Sequence, residues 1–270
     1  AGSVAGLDLV RPLRCLTAEG ISVVLEDTDP YRAVPYQGSE IYPVDQLSAA
    51  EAESWQRAFT AAIDIIDTCL PRYAPGLRAG LRTVLPLQSD GKLSRSASTR
   101  LAFGAVGLAP ARLDGASLAE LLVHEFQHVK MGAILDMFEL YDLSDTEPRY
   151  HPLCFVHPRP IEGLLQGAYA HIGVTDYWRV RRTLVDGADR VEAERQFARW
   201  RMMTAEAIGQ LRDSGSLTGL GERFVQAMGE TVLPWSSEPV DPAAEAAARE
   251  VAEEHREREA RLKTAGQRKP

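Results

Sequence analysis

The sequence predicts a mainly α-helical protein with a small β element and a metal site carried on two adjacent helices. Three observations lead there. Apolar residues recur at helical spacing through most of the chain after residue 48, several of these runs open on capping residues, and the β-prone stretches are short and confined to about the first 110 residues. Nothing in the pattern forces a second domain, and 270 residues that are 45% hydrophobic can build a substantial core. One domain over 1–270 is expected, with an N-terminal α+β layer at about 7–110, metal-site helices at about 117–182 and C-terminal helices at about 190–263.

The elements follow in order. "ISVVLED" is a strand candidate, and the turn-rich "DTDPYRAVPYQG" after it marks an irregular layer. "SAAEAESWQRAFTAAIDIIDTCL" opens with Ser48 and has Glu51 three residues on, the spelling of a capping box, and then runs apolar at helical spacing to Pro71. "LRTVLPLQS" and "STRLAFGAVGLA", separated by the turn signal "SDGK", read as two strands or a hairpin. Ser117 and Glu120 spell a second capping box, for a helix from about Leu118 to Leu140. Prolines 148, 152, 158 and 160 force an irregular segment, and Pro160 suits the first turn of a helix carrying "IEGLLQGAYAHIGVTDYWRV". Further helices are expected at about 190–213, 218–230 and 242–263, the last Ala-rich, charged and read as solvated. Tyr169, Tyr177 and Trp178 read as core aromatics, and the basic run "WRVRRTLVDGADR" reads as a solvated face.

Composition limits the partners. A formal charge of −8 argues against nonspecific nucleic-acid binding. No apolar run approaches the roughly 20 residues that cross a bilayer and no signal peptide is spelled, so a cytoplasmic protein with no membrane partner is expected. Cys15, Cys69 and Cys154 are odd in number and widely spaced, which fits buried thiols better than a disulfide framework or a cysteine metal cluster.

The chemistry concentrates in "LVHEFQHVK". Residues four apart share one helix face, so His124 and His128 can turn two imidazoles toward one ion. Five of the six histidines, His124, His128, His151, His157 and His171, lie between residues 124 and 171. His171 on the next helix is a third-ligand candidate, with Glu162 and Gln166 as further possibilities, while His151 and His157 fall on the loop. In a zinc peptidase Glu125 would polarise the metal-bound water. The long metzincin spelling is absent, since "HVKMGAILDM" supplies no third histidine, and Glu162 is the one attractive carboxylate for a thermolysin-like site.

"SASTRLAFGAV", "LLVHEFQHVKMGAILDM" and "HPRPIEGLLQGAYAHIGVTDYW", in this order, resemble the HExxH-motif peptide-modification family, most closely over about 96–182. The resemblance implies an iron(II)- and 2-oxoglutarate-dependent oxygenase that hydroxylates a β-carbon in a ribosomally made precursor peptide, sometimes beside or fused to a radical-SAM maturase. It implies Fe(II) held by His124, His128 and His171, with Glu125 orienting a ligand or substrate. Arg159 would take the distal carboxylate of 2-oxoglutarate, with Arg100, Ser98, Thr99 and Gln166 as further contacts. Many members carry aspartate where this chain has His157 and histidine where it has Gln166, which makes His171 the third ligand expected here. Two other readings stand beside this one: a zinc metallopeptidase that processes a leader peptide, and a non-catalytic domain that grips a precursor peptide.

Overall fold

Ser48 closes the N-terminus of the first helix from both directions. Its hydroxyl accepts from the Glu51 amide while the Glu51 carboxylate accepts from the Ser48 amide at 2.8 Å, so the box read in the sequence is formed, and α1 (Ala49–Cys69) follows it. Trp55, Phe59, Ala62, Ile63 and Ile66 then recur at three- and four-residue steps and are buried. The computed structural model describes residues 13–32, 42–152 and 158–266. His157, Cys154 and the latter half of the turn-rich "DTDPYRAVPYQG" lie outside them. The protein is mainly α, with seven helices and one five-stranded sheet among the described residues. It divides into two compact units, 1–129 and 130–270.

In the first unit, β1 (Arg14–Ala18), β2 (Ile21–Leu25), β3 (Thr83–Pro86), β4 (Arg95–Ser98) and β5 (Ala105–Ala109) form a mixed sheet in the order β1-β2-β3-β5-β4. Ile21, Val23 and Leu25 alternate inward along β2. The pair β2–β3 is parallel, and α1 with the short α2 (Ala74–Gly80) forms the long connection that a parallel pair needs. Of the two readings of these segments, two strands or a hairpin, the first holds: they supply β3 and β5, which are parallel neighbours, and the hairpin is β4–β5. Side-chain character accounts for this order. Val106, Leu108 and Ala109 of β5 are buried and take an interior position, whereas the polar Arg-Ser-Ala-Ser of β4 suits an edge.

The motif helix α3 spans Gly115–Met137, three residues earlier at each end than the sequence reading placed it. Its first turn is closed by Asp114, whose carboxylate accepts from the Ser117 amide at 2.8 Å, so Ser117 is capped rather than capping. Gly115 lets the helix start against α1, because a Cβ there would meet the Ala61 Cβ at 2.6 Å.

The second unit holds α4 (Ile161–Arg181), α5 (Gly187–Arg212), α6 (Gly219–Ser236) and α7 (Pro242–Gly266). Pro160 is the N-cap of α4 rather than its first-turn residue. Tyr177 is fully buried, and Tyr169 and Trp178 pack against the core of this unit, as expected. The basic run after Tyr177 is solvated mainly from Thr183 onward, and its first arginines are drawn into ion pairs. Arg179 pairs with buried Asp176 at 2.9 Å, and Arg182 reaches Glu238 at 2.6 Å, Glu194 at 3.2 Å and the Pro239 carbonyl at 2.8 Å. These pairs tie the α6–α7 connection to the end of α4. The Ala-rich α7 is also not solvated all round, since Ala244, Ala248 and Ala252 form a buried stripe at four-residue steps. Cys15 is exposed on β1, against the expectation of a buried thiol, because it stands at an outward position of that strand; Cys69 is buried. No described helix is long and apolar enough to cross a membrane.

Two substitutions test this packing. Gly80→Ala would set a Cβ 2.6 Å from the Phe126 ring, and we expect a loss of about 1–3 kcal/mol in denaturant unfolding. Arg182→Ala leaves Glu194 without this cation and Glu238 with Arg179 alone, so an equilibrium loss of about 1–3 kcal/mol is expected, where a surface pair would give under about 1.

Candidate metal centre

The site is built on the part of α3 that belongs to the first unit. Leu122, Val123, Phe126 and Val129 are buried around the histidines and fix the helix in rotation. Phe126 does so most directly, since its ring lies against the bare backbone of Gly76 and Gly80 on α2. With that face held, His124, Glu125 and His128 offer ligand atoms that all lie within 4.8 Å of one another. The two imidazole rings stand 4.8 Å apart at 88°, nearly perpendicular.

Glu125 is 2% exposed, and its Oε1 accepts from His124 Nδ1 at 3.1 Å. A carboxylate can only accept, so the His124 proton sits on Nδ1 and the lone pair is on Nε2, the nitrogen left to face an ion. Ser96 on β4 completes the arrangement. Its Oγ is 3.5 Å from the same Nδ1, and it hydrogen-bonds the Glu125 carboxylate. Burial by itself raises the Glu125 pKa, but the hydrogen bond from His124, the electrostatic attraction of His124 and His128 and the Ser96 contact outweigh it and bring it down to about 2. The carboxylate is therefore ionised at neutral pH although it is buried.

Two imidazoles, one of them oriented by the Glu125 carboxylate behind it, form a borderline donor pair that suits a divalent first-row ion such as zinc or ferrous iron. The residues present fit such an ion. Both histidines are half-buried rather than sealed, so the face they present is open to further ligands.

The other expected residues fall as follows. Ser98 is half-buried two positions after Ser96, on the same face of β4, and Arg100 is exposed in the turn that follows. His171 is buried in the second unit, where its Nδ1 donates to the Gly167 carbonyl at 2.7 Å and its ring lies 4.5 Å from that of Trp200. Gln166 Nε2 donates to Glu162 Oε1 at 3.2 Å on α4. Arg159 is half-buried and forms an antiparallel bridge with Tyr150 just before α4. His151 is half-buried, and its carbonyl accepts from Gln210. Ser96 is the residue that sequence reasoning missed. The signal was the Ser96/Ser98 alternation at strand period, which puts both hydroxyls on one face.

No model of a known protein family matches the sequence, and no curated protein matches it either.

Glu125→Gln removes the anion while keeping the shape. We expect its affinity for ferrous iron or zinc, read by competition with a chelator, to fall by about 10- to 100-fold with the helical circular dichroism unchanged.

Proposed function

We propose that the protein is an iron(II)- and 2-oxoglutarate-dependent oxygenase that hydroxylates a side-chain β-carbon in a ribosomally made precursor peptide. The metal centre and the resemblance of residues 96–182 to the HExxH peptide-modification family support this reading together. The observation that carries it over a zinc peptidase is the placement of Glu125. A peptidase's base must face the attacking water. Here the carboxylate is buried and engaged with His124 Nδ1 and Ser96, which suits a positioning residue.

In this reading His124 and His128 hold the metal through imidazole nitrogens, and Glu125 keeps His124 in the tautomer that can bind. Bound ferrous iron supplies the oxidising chemistry: one atom of O2 enters a C–H bond of the peptide, the other goes into succinate, and CO2 leaves 2-oxoglutarate. In this reading the Ser98 hydroxyl and the Arg100 guanidinium contact the co-substrate's carboxylates.

Anaerobic purification, a metal measurement and mass spectrometry of a precursor peptide incubated with O2 and 2-oxoglutarate test the proposal. A peptide gain of about 16 Da, matched by succinate and absent in His128→Ala, is expected. Peptide cleavage by a zinc-loaded protein would establish the peptidase instead. Tight peptide binding with no mass change and no 2-oxoglutarate turnover would establish the non-catalytic domain.

A further inference from the structure

β4 stands at the end of the sheet, and among the described residues nothing pairs with its outer edge. Which of its backbone groups face outward follows from β5. The Leu108 carbonyl is taken by the Leu87 amide on the β3 side, so the backbone of Gly107 and Ala109, one residue to either side, faces β4. Those two are registered against Ala97 and Arg95, which therefore make the ladder bonds. Ser96 and Ser98, registered against Leu108 and Val106, turn their N–H and C=O toward the open edge.

The surroundings of that edge are not those of an ordinary blunted strand. Leu93 is 66% exposed just before β4, and Leu101 and Phe103 are 91% and 59% exposed just after it. Residues 91–103 contain three cations, Lys92, Arg95 and Arg100, and no carboxylate, in a chain whose formal charge is −8. Asp90, outside this stretch, lies 3.6 Å from Arg95 and offsets part of the charge. Ser96 itself touches His124.

We propose that an extended acidic peptide docks along β4 as a sixth strand, bonded through the backbone of Ser96 and Ser98. Main-chain pairing supplies the affinity, the exposed apolar side chains at either end grip the peptide's own apolar residues, and the local positive charge selects acidic segments. An added strand lies about 4.8 Å from its neighbour and sends alternate side chains to each face of the sheet. Every second side chain of the peptide thus rises on the face that carries Ser96 and His124, which delivers it toward the metal centre. That the peptide is the oxygenase substrate rests on the function proposed above; the docking does not.

The test uses the metal-free full chain and a fluorescein-labelled peptide of about ten residues alternating glutamate and valine, with a lysine–valine peptide as comparator. Anisotropy should show binding of the acidic peptide only, weakened by salt. Ser98→Pro removes one outward N–H without removing a β4–β5 ladder bond, and should weaken binding by about tenfold or more. Lys92→Glu with Arg95→Glu should weaken it further and flatten the salt dependence. Hydrogen exchange should slow at the Ser96 and Ser98 amides when peptide is added. Unchanged affinity in a folded Ser98→Pro protein would overturn the proposal. Protection of both amides before any peptide is present, or a wild-type dimer that Ser98→Pro splits, would overturn it too, because the edge would already be occupied. Because neither metal nor turnover enters the measurement, peptide binding without hydroxylation would count against the oxygenase reading alone.

Discussion

A buried carboxylate that can only accept hydrogen bonds is the constraint around which the metal centre is organised. Glu125 is ionised inside the protein because two imidazoles and a serine hydroxyl compensate for its lost hydration. The compensation has a price in freedom: His124 must carry its proton on Nδ1 and Ser96 must stay close. Each of these demands reaches back into the fold. α3 has to be held in one rotation, which the Phe126 ring against Gly76 and Gly80 achieves, and β4 has to lie where Ser96 meets the helix. A small change of helix rotation would take the Glu125 carboxylate away from Ser96, while its histidine partners, on the same helix, would move with it.

The sequence showed best those features that depend on neighbours a few residues away. The Ser48–Glu51 box is local, and it formed as spelled. The His-Glu-x-x-His spacing needs only a helix to bring its side chains together, and the three donors do converge. The start of α3 was misplaced because Asp114 and Ser117 are both good capping residues, and propensity alone does not choose between them; the packing of Gly115 on Ala61 does. Strand order was illegible for a related reason. Whether β3 lies beside β4 or β5 depends on which strand tolerates burial on both faces, a property of the assembled sheet.

The arginines after Tyr177 teach the same lesson with the opposite sign. Read alone, a basic run is a solvated face, because charge belongs in water. Arg182 is nonetheless 8% exposed, since Glu194 and Glu238, 12 and 56 residues further along the chain, meet it with opposite charge. Pairing over such separations leaves no trace in a local window. The site shows a mixture of the two cases: His124, Glu125 and His128 were legible because they share one helix, and Ser96 was not because it arrives from a strand.

The buried stripe of α7 consists of alanines. A methyl group removes little apolar area from water, so this helix gains less per turn from docking than α4 does with its leucines, isoleucines and Tyr177. Its ties to α5 are supplemented by ion pairs such as Arg256 with Glu206, whose side chains remain partly in solvent. The docking of this helix on α5 therefore rests on small methyl contacts and half-solvated ion pairs, and lengthening one of its buried alanines would be felt along the whole stripe.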